Sequence, residues 1–465
     1  MNPTDIKLVV LAVGAIIVLV LLITRLKVNA FIALVLASLL VGLGAVAMDV
    51  QRMGADGKAF TYTTALMMKS LQDGLGATLG GIAAVLGLGT MLGKLLAESG
   101  GAEVLAKRFS AFFGPQRIQW CIMALALAIG LTTWFAVGLV LLLPILLTLT
   151  KETKQPFLKL TLPLLSFLSV MHGVMPPHPG PVVAVEMLKA NMGLVLFWGF
   201  IIGIPTAAIA GPLYAKWAVK HVEAHPPEIV SKVGTMPGLR LPEFGLTMFA
   251  ILLPVGLMLI STLAELTLAK GHHLREIAGF IGHPTMALLI SVLFALWALG
   301  TNCGFKGQQL LKFTEQAVGA IGMTILVVGG GGAFARVLRD TGVADSIGRL
   351  GEMASLPPLL YAWLVSAFIR VATGSATVAI VTASGLMVPV LAAHPEFSQH
   401  QVALIICAMG CGSLFLSHLN DAGFWIVKDS LGLSVSQTFR TWTVCETIVG
   451  IAGMLLSLLA FHIIS

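Results

Sequence analysis

Four short stretches of this 465-residue chain gather the side chains that could do chemistry. The first reads His172-Gly173-Val174-Met175-Pro176-Pro177-His178-Pro179-Gly180-Pro181, with Ser169 just before it. A second offers Thr132 and Thr133. A third offers Thr373, Ser375 and Thr377, with Arg370 one turn upstream, and a fourth offers Ser417, His418, Asn420 and Asp421. Hydroxyls and an amide bond sugar-type OH groups, and a guanidinium receives a carboxylate through paired N–H donors. The inventory therefore fits a small polyhydroxylated carboxylate. His172, His178, His418 and Asp421 are candidate proton carriers, because histidine titrates near neutrality and a buried aspartate can be brought toward it. No Asp or Glu pair with carbonyl-rich spacing marks a sodium cage, which favours proton over sodium as a coupling ion.

Prolines and glycines set these residues apart. A proline in a helix interior removes a donor and clashes with the preceding turn, at a cost of ~3 kcal/mol, so residues 172–181 cannot be mid-helix. In a bilayer such a break survives only where protein buries it or where it lines a wet cavity. The composition supplies the bilayer: 57% of residues are hydrophobic, 11% are charged and the mean hydropathy is +0.96, against about 25% charged in soluble domains. The chain is read as a polytopic helical membrane protein. Its net charge of +7 sits in short basic clusters between apolar runs, as the positive-inside rule produces, without the basic stripe of a nucleic-acid binder. Cys121, Cys303, Cys407, Cys411 and Cys445 lie in or beside apolar segments. They read as buried small residues, and neither they nor the loop histidines His272, His273 and His283 form a zinc set. No metal or cofactor is expected.

Runs near ~20 apolar residues mark spans. Residues 8–23 and 28–48 are two of them, the first an uncleaved span. Arg25 and Lys27 between them set the N-terminus outside. Residues 49–70 form a polar external loop. Residues 120–131 and 137–149 are each too short to cross, and cations flank the pair at Arg117 and at Lys151, Lys154 and Lys159. They read as a re-entrant hairpin entering from the cytoplasm, with its tip at residues 132–136. Residues 193–214, 246–263 and 285–299 are further spans. The intervening loop, residues 215–242, carries Pro226, Pro227, Lys232, Pro237 and Gly238 and is placed in the cytoplasm.

The second half repeats the first. Residues 98–103 match 340–345, the glycine-rich helix 81–96 matches 322–338, and the break at 132–136 matches Thr373-Gly374-Ser375-Ala376-Thr377. Phe167-Leu168-Ser169 matches Phe415-Leu416-Ser417, which sets His172 opposite Asn420. A second hairpin, 359–372 plus 378–391, lacks cationic flanks and enters from outside, although Arg336, Arg339 and Arg349 sit against that orientation. The expected fold is all-α: two inverted repeats, each with a re-entrant hairpin and a broken transmembrane helix. The units are residues 1–74, 75–192 (repeat 1), 193–316, 317–440 (repeat 2) and 441–465. Inverted repeats with broken helices are how secondary transporters are built. No nucleophile motif, metal motif or phosphate loop supports an enzyme, and Gly329–Gly332 lacks a P-loop lysine.

On these motifs the chain resembles the gluconate permease family, gluconate:proton symporters of the ion-transporter superfamily, over essentially its whole length. The resemblance lies in residues 31–36, 80–93 and 172–181, in Gly329-Gly330-Gly331-Gly332-Ala333-Phe334, in Gly374-Ser375-Ala376-Thr377-Val378 and in residues 417–425. Within the family the chain is most similar to high-affinity gluconate members. The resemblance implies a bacterial inner-membrane importer of gluconate, or a close sugar acid, by proton symport. It also implies a homodimer with a scaffold and a moving domain that works by an elevator motion. Carriers of D-serine, glycerate or another small hydroxy or amino acid anion, and a passive anion channel, are the alternatives. One departure stands out: the family pattern Phe-Glu-Val-Gly is here Phe135-Ala136-Val137-Gly138. The missing glutamate leaves three readings. Coupling lies elsewhere, with Asp421 and His172 the named candidates; the carrier is uncoupled; or the substitution traps one state, which is preferred because the flanking motifs are intact.

Overall fold

Without water to bond, backbone amides in a bilayer must be satisfied inside their own segment, so long apolar runs become helices. The computed structural model describes residues 3–53, 59–224, 240–269, 271–343, 345–346, 356–419 and 421–464. Asn420, Arg349 and the loop residues Pro226, Pro227, Lys232, Pro237 and Gly238 lie outside the described residues. Among the described residues, nine helices are long and apolar enough to cross a membrane, or ten if one bent pair is a single span. Helices α1 (Pro3–Thr24), α2 (Ala30–Ala47) and α3 (Thr64–Glu98) open the chain.

The expected external loop is not all loop. Strands β1 (Gln51–Met53) and β2 (Ala59–Thr61) pair antiparallel between α2 and α3, with Arg52 opposite Phe60. Gln51 donates to Thr61 across the ribbon at 2.7 Å, and Thr63 caps α3 by accepting from the Leu66 amide. The Gln51–Thr61 bond makes a polar cross-strand pair at the open end of the ribbon.

After α4 (Gly101–Phe113), the first hairpin consists of α5 (Ile118–Gly130) and α6 (Phe135–Thr153). The 13 residues of α5 are too few to span, and α6 bends by 44° between Leu143 and Ile145, at Pro144. Helices α7 (Phe157–Val174) and α8 (Pro179–Leu188) form the first broken span. Its break is shorter than the proline count implies. His172 remains in the last turn of α7, and Pro179 and Pro181 fall in the first turn of α8, where a missing N–H costs no bond.

Helices α9 (Met192–Ala208) and α10 (Tyr214–His221) follow, joined by a π turn, Ile209–Leu213. Then come α11 (Phe244–Thr267), α12 (His273–Ile281), α13 (Pro284–Ala295), α14 (Gly307–Ala320) and α15 (Gly322–Asp340). The glycine run of α15 is buried, and this helix packs against α2 and α3. Arg336 pairs with Asp340 at 2.6 Å and Arg339 with Asp340 at 3.5 Å, while Arg52 of the ribbon bonds Asp345 at 2.7 Å. The two arginines that sat against the expected orientation are thus offset by a local carboxylate. The ribbon and the end of α15 share one face of the molecule.

The second hairpin is α16 (Pro358–Thr373) and α17 (Ala376–Ala392), at 16 and 17 residues, packed arm on arm. Its tip turns at Gly374, whose φ of 73° is the left-handed conformation that favours glycine, and Ser375 caps α17. A second interrupted helix pair is α18 (Gln399–Gly412) and α19 (Ala422–Ser430), with 413–419 and Asp421 the described residues between them. Short α20 (Val435–Thr438) and a π turn, Phe439–Thr443, lead into α21 (Val444–Ile464).

The two broken spans cross at a backbone contact. A Cβ on Gly410 of α18 would stand 2.4 Å from the carbonyl oxygen of Gly173 in α7, and a backbone oxygen has little room to yield. Gly76 in α3, by contrast, faces open space. Gly410→Ala is expected to destabilise the folded protein by ~1–3 kcal/mol through overpacking. Gly76→Ala should leave it unchanged or slightly firmer, since alanine favours a helix over glycine. Thermal unfolding of the two purified variants checks this, and equal melting temperatures would disprove the close crossing.

Candidate functional site

Arg370 and Asp421 form a buried ion pair, Nη2 to Oδ2 at 2.5 Å, with side chains 4% and 9% exposed. Each sits where a helix end favours its charge. Arg370 occupies the last turn of α16 near the negative end of the dipole, and Asp421 is the N-cap of α19, accepting from the Gly423 amide at 2.7 Å. Asp421 also accepts from the Ser417 hydroxyl. Ser417 in turn accepts from Trp442 Nε1 at 2.7 Å, and its carbonyl accepts from Thr443 at 2.6 Å. Arg370 Nε is buried without a hydrogen-bond partner among the described residues. A guanidinium with an unused donor beside a helix break is a ready receptor for a carboxylate.

One kind of contact that the sequence did not reveal occurs twice. His178, in the first break, bonds through Nε2 to the carbonyl of Gly130 at the end of α5, at 2.6 Å. His418, in the second break, bonds through Nε2 to the carbonyl of Val371 near the end of α16, at 3.0 Å. The two bonds span 48 and 47 residues. His178 and His418 thus each tie a helix break to a backbone carbonyl at or near the end of the preceding hairpin's first arm. Both histidines hold backbone in this conformation. His172 differs: its ring lies edge-on to His178 at 5.5 Å, and its Nδ1 is buried without a partner among the described residues.

The hydroxyls divide similarly. Thr132 and Thr133 donate to the Ile129 carbonyl at 3.2 and 2.9 Å, and Thr373 donates to that of Ile369 at 2.8 Å. A hydroxyl that donates to backbone still has lone pairs to accept from a solute OH. Ser375 is used as a helix cap, and Thr377 lies half-buried in the first turn of α17 rather than in the break. Ala136 likewise belongs to the first turn of α6, next to Phe135, whose ring meets Trp442 at 5.0 Å.

Sequence reasoning missed two members of this cluster. Glu446, in the first turn of α21, is fully buried, and its Oε2 accepts from Ser169 at 2.9 Å. Trp442, one turn earlier, joins Ser417 to the first hairpin. A signal for Glu446 was present, since a carboxylate inside an otherwise apolar final span is costly and by default functional.

Two cavities lie at one end of α8, away from these residues. One, about 280 Å³, is lined by Glu186, Asn191, Glu265 and His283. The other, about 160 Å³, is lined by Lys189, Arg336 and Arg339, with Glu186 reaching both. Among the described residues no three His, Cys, Asp or Glu side chains are grouped to hold a metal ion.

Comparison with known proteins covers nearly the whole chain. The model of the GntP family permeases matches residues 6–464. A gluconate permease of Pseudomonas aeruginosa is 41% identical, with 98% of each chain covered. In Escherichia coli, the Gnt-II system L-idonate transporter is 40% identical and the high-affinity gluconate transporter 39%, each over 96% of this chain and 97% of the relative. Among solved structures, MtrF of Neisseria gonorrhoeae superposes with a TM-score of 0.62 at 11% identity, covering 92% of this chain and 93% of that one, a likeness of fold.

Proposed function

This chain belongs to the GntP family of permeases, and on that premise we propose that it imports gluconate, or a close sugar acid, across the bacterial inner membrane by proton symport. The observation that carries the substrate class is Arg370, a buried cation with a free donor at a helix break. Its charge suits one carboxylate, and the hydroxyl-bearing residues around the breaks suit the rest of a polyol chain. Thr132, Thr133, Ser169, His172, His178, Thr373, Ser375, Thr377, Ser417, His418, Asn420 and Asp421 are proposed to line the path with it. The full-length relatives named for gluconate and L-idonate support a sugar acid over D-serine or glycerate.

The paired hairpins and broken spans, with their matched histidine bonds, support the inverted-repeat reading of residues 75–192 and 317–440. On that reading the hairpins and breaks move as one unit against a scaffold, in an elevator motion, and the chain works as a homodimer.

Purified protein in liposomes is expected to exchange labelled gluconate for internal unlabelled gluconate in a saturable counterflow. L-idonate should compete more strongly than D-serine or glycerate. Linear flux without counterflow would mark a passive channel, and competition led by D-serine would overturn the sugar-acid assignment.

A further inference from the structure

We infer that Glu446 is the proton-binding carboxylate of this transporter. The inference rests on the symport reading above. Three observations carry it. Glu446 is fully buried, it bonds one broken span through Ser169, and its second oxygen, Oε1, has no partner among the described residues. The free oxygen is where a proton would bind. No cation among the described residues is in ion-pair contact to fix the carboxylate in its charged form. A charge so placed is costly unless it is paired or neutralised.

The surroundings tie that proton to the substrate. Arg370 and Asp421 lie within electrostatic range of both Glu446 and His172. Cys411 of α18 and Cys445 beside Glu446 also face it, while α9 and the π turn at Ile209–Leu213 bring no titratable side chain. Trp442, one turn before Glu446, holds Ser417, which holds Asp421. With Glu446 ionised, the buried charges are one cation and two carboxylates, and an arriving anion adds a third negative charge. With Glu446 protonated, Arg370 and Asp421 balance and the anion adds only one. Like charges in a low-dielectric site repel strongly, so anion and proton bind best together. The proton comes from water on the side of higher acidity, occupies Oε1 during the crossing, and returns to water when the anion leaves.

The test compares wild type, Glu446→Gln and Glu446→Asp in liposomes. With potassium and valinomycin clamping the potential, wild type should accumulate gluconate about tenfold for an inward gradient of one pH unit at one proton per anion. It should also acidify the lumen on adding gluconate. E446Q keeps the Ser169 bond through its amide oxygen. It should continue counterflow at equal pH, accumulate no more than about the equilibrium ratio of one, and move no protons. E446D should retain coupling with its pH midpoint displaced, and it carries the test if E446Q does not fold. Wild-type accumulation by E446Q, an unshifted E446D profile, or a wild type that exchanges gluconate without responding to pH would each overturn the role of Glu446. Absence of gluconate exchange by wild type would instead overturn the substrate reading on which it rests.

Discussion

Arg370→Ala is expected to weaken gluconate binding on the order of 100-fold or more, as read by calorimetry on the purified protein. Two charge-assisted hydrogen bonds from one guanidinium to a carboxylate contribute about 1.5–3 kcal/mol each, and every 1.4 kcal/mol is a factor of ten. The donor for one of these bonds is visible, since Nη2 holds Asp421 while Nε has no partner among the described residues; the second requires a guanidinium Nη to turn toward the substrate. Arg370→Lys should restore the charge but not the fork, and so recover only part of the affinity. Truncation also leaves Asp421 buried and uncompensated, at a cost of about 3–5 kcal/mol in stability. A lower melting temperature alone therefore says nothing about binding. The double variant Arg370→Ala/Asp421→Asn separates the two effects: it should regain stability but not affinity. Wild-type affinity in Arg370→Ala would remove the guanidinium from the site.

The sequence disclosed the parts of this site that break backbone rules. Prolines at 176, 177, 179 and 181 and glycine at 374 announce interruptions, because no helix interior holds them cheaply. Arg370 and Asp421 stood out as charges in apolar surroundings. What the sequence hid was how far each helix runs into its break. His172, Thr373, Thr377 and Ala136 were placed in gaps, yet all four are helical, since first-turn prolines and a capping serine let helices start or end within the motif. Partners were hidden too. Nothing local pairs His178 with Gly130, or Ser169 with Glu446 across 277 residues. Glu446 was passed over because α21 carries no proline or glycine break around it. An acid in a regular helix is recognised only when its neighbours are known.

Asp421→Asn probes the same pair from its other side. It should leave Arg370 buried without a counter-charge, lowering the stability of the substrate-free protein by about 3–5 kcal/mol. It also replaces a charged N-cap by a neutral one, a smaller effect of roughly 0.3–1 kcal/mol. An anionic substrate supplies the missing charge, so gluconate should raise the melting temperature of this variant more than that of wild type. Ligand stabilisation scales with the logarithm of concentration over Kd, and Asp421 competes with the substrate for the guanidinium in wild type. Tighter binding has a cost for transport, because Asp421 is what Arg370 returns to when the anion leaves. Net uptake should therefore fall at least tenfold while affinity holds or improves, as expected when binding energy stabilises a resting state rather than the crossing. A gluconate-induced shift no larger than that of wild type, with uptake unchanged, would show that Asp421 braces α19 without trading Arg370 with the substrate.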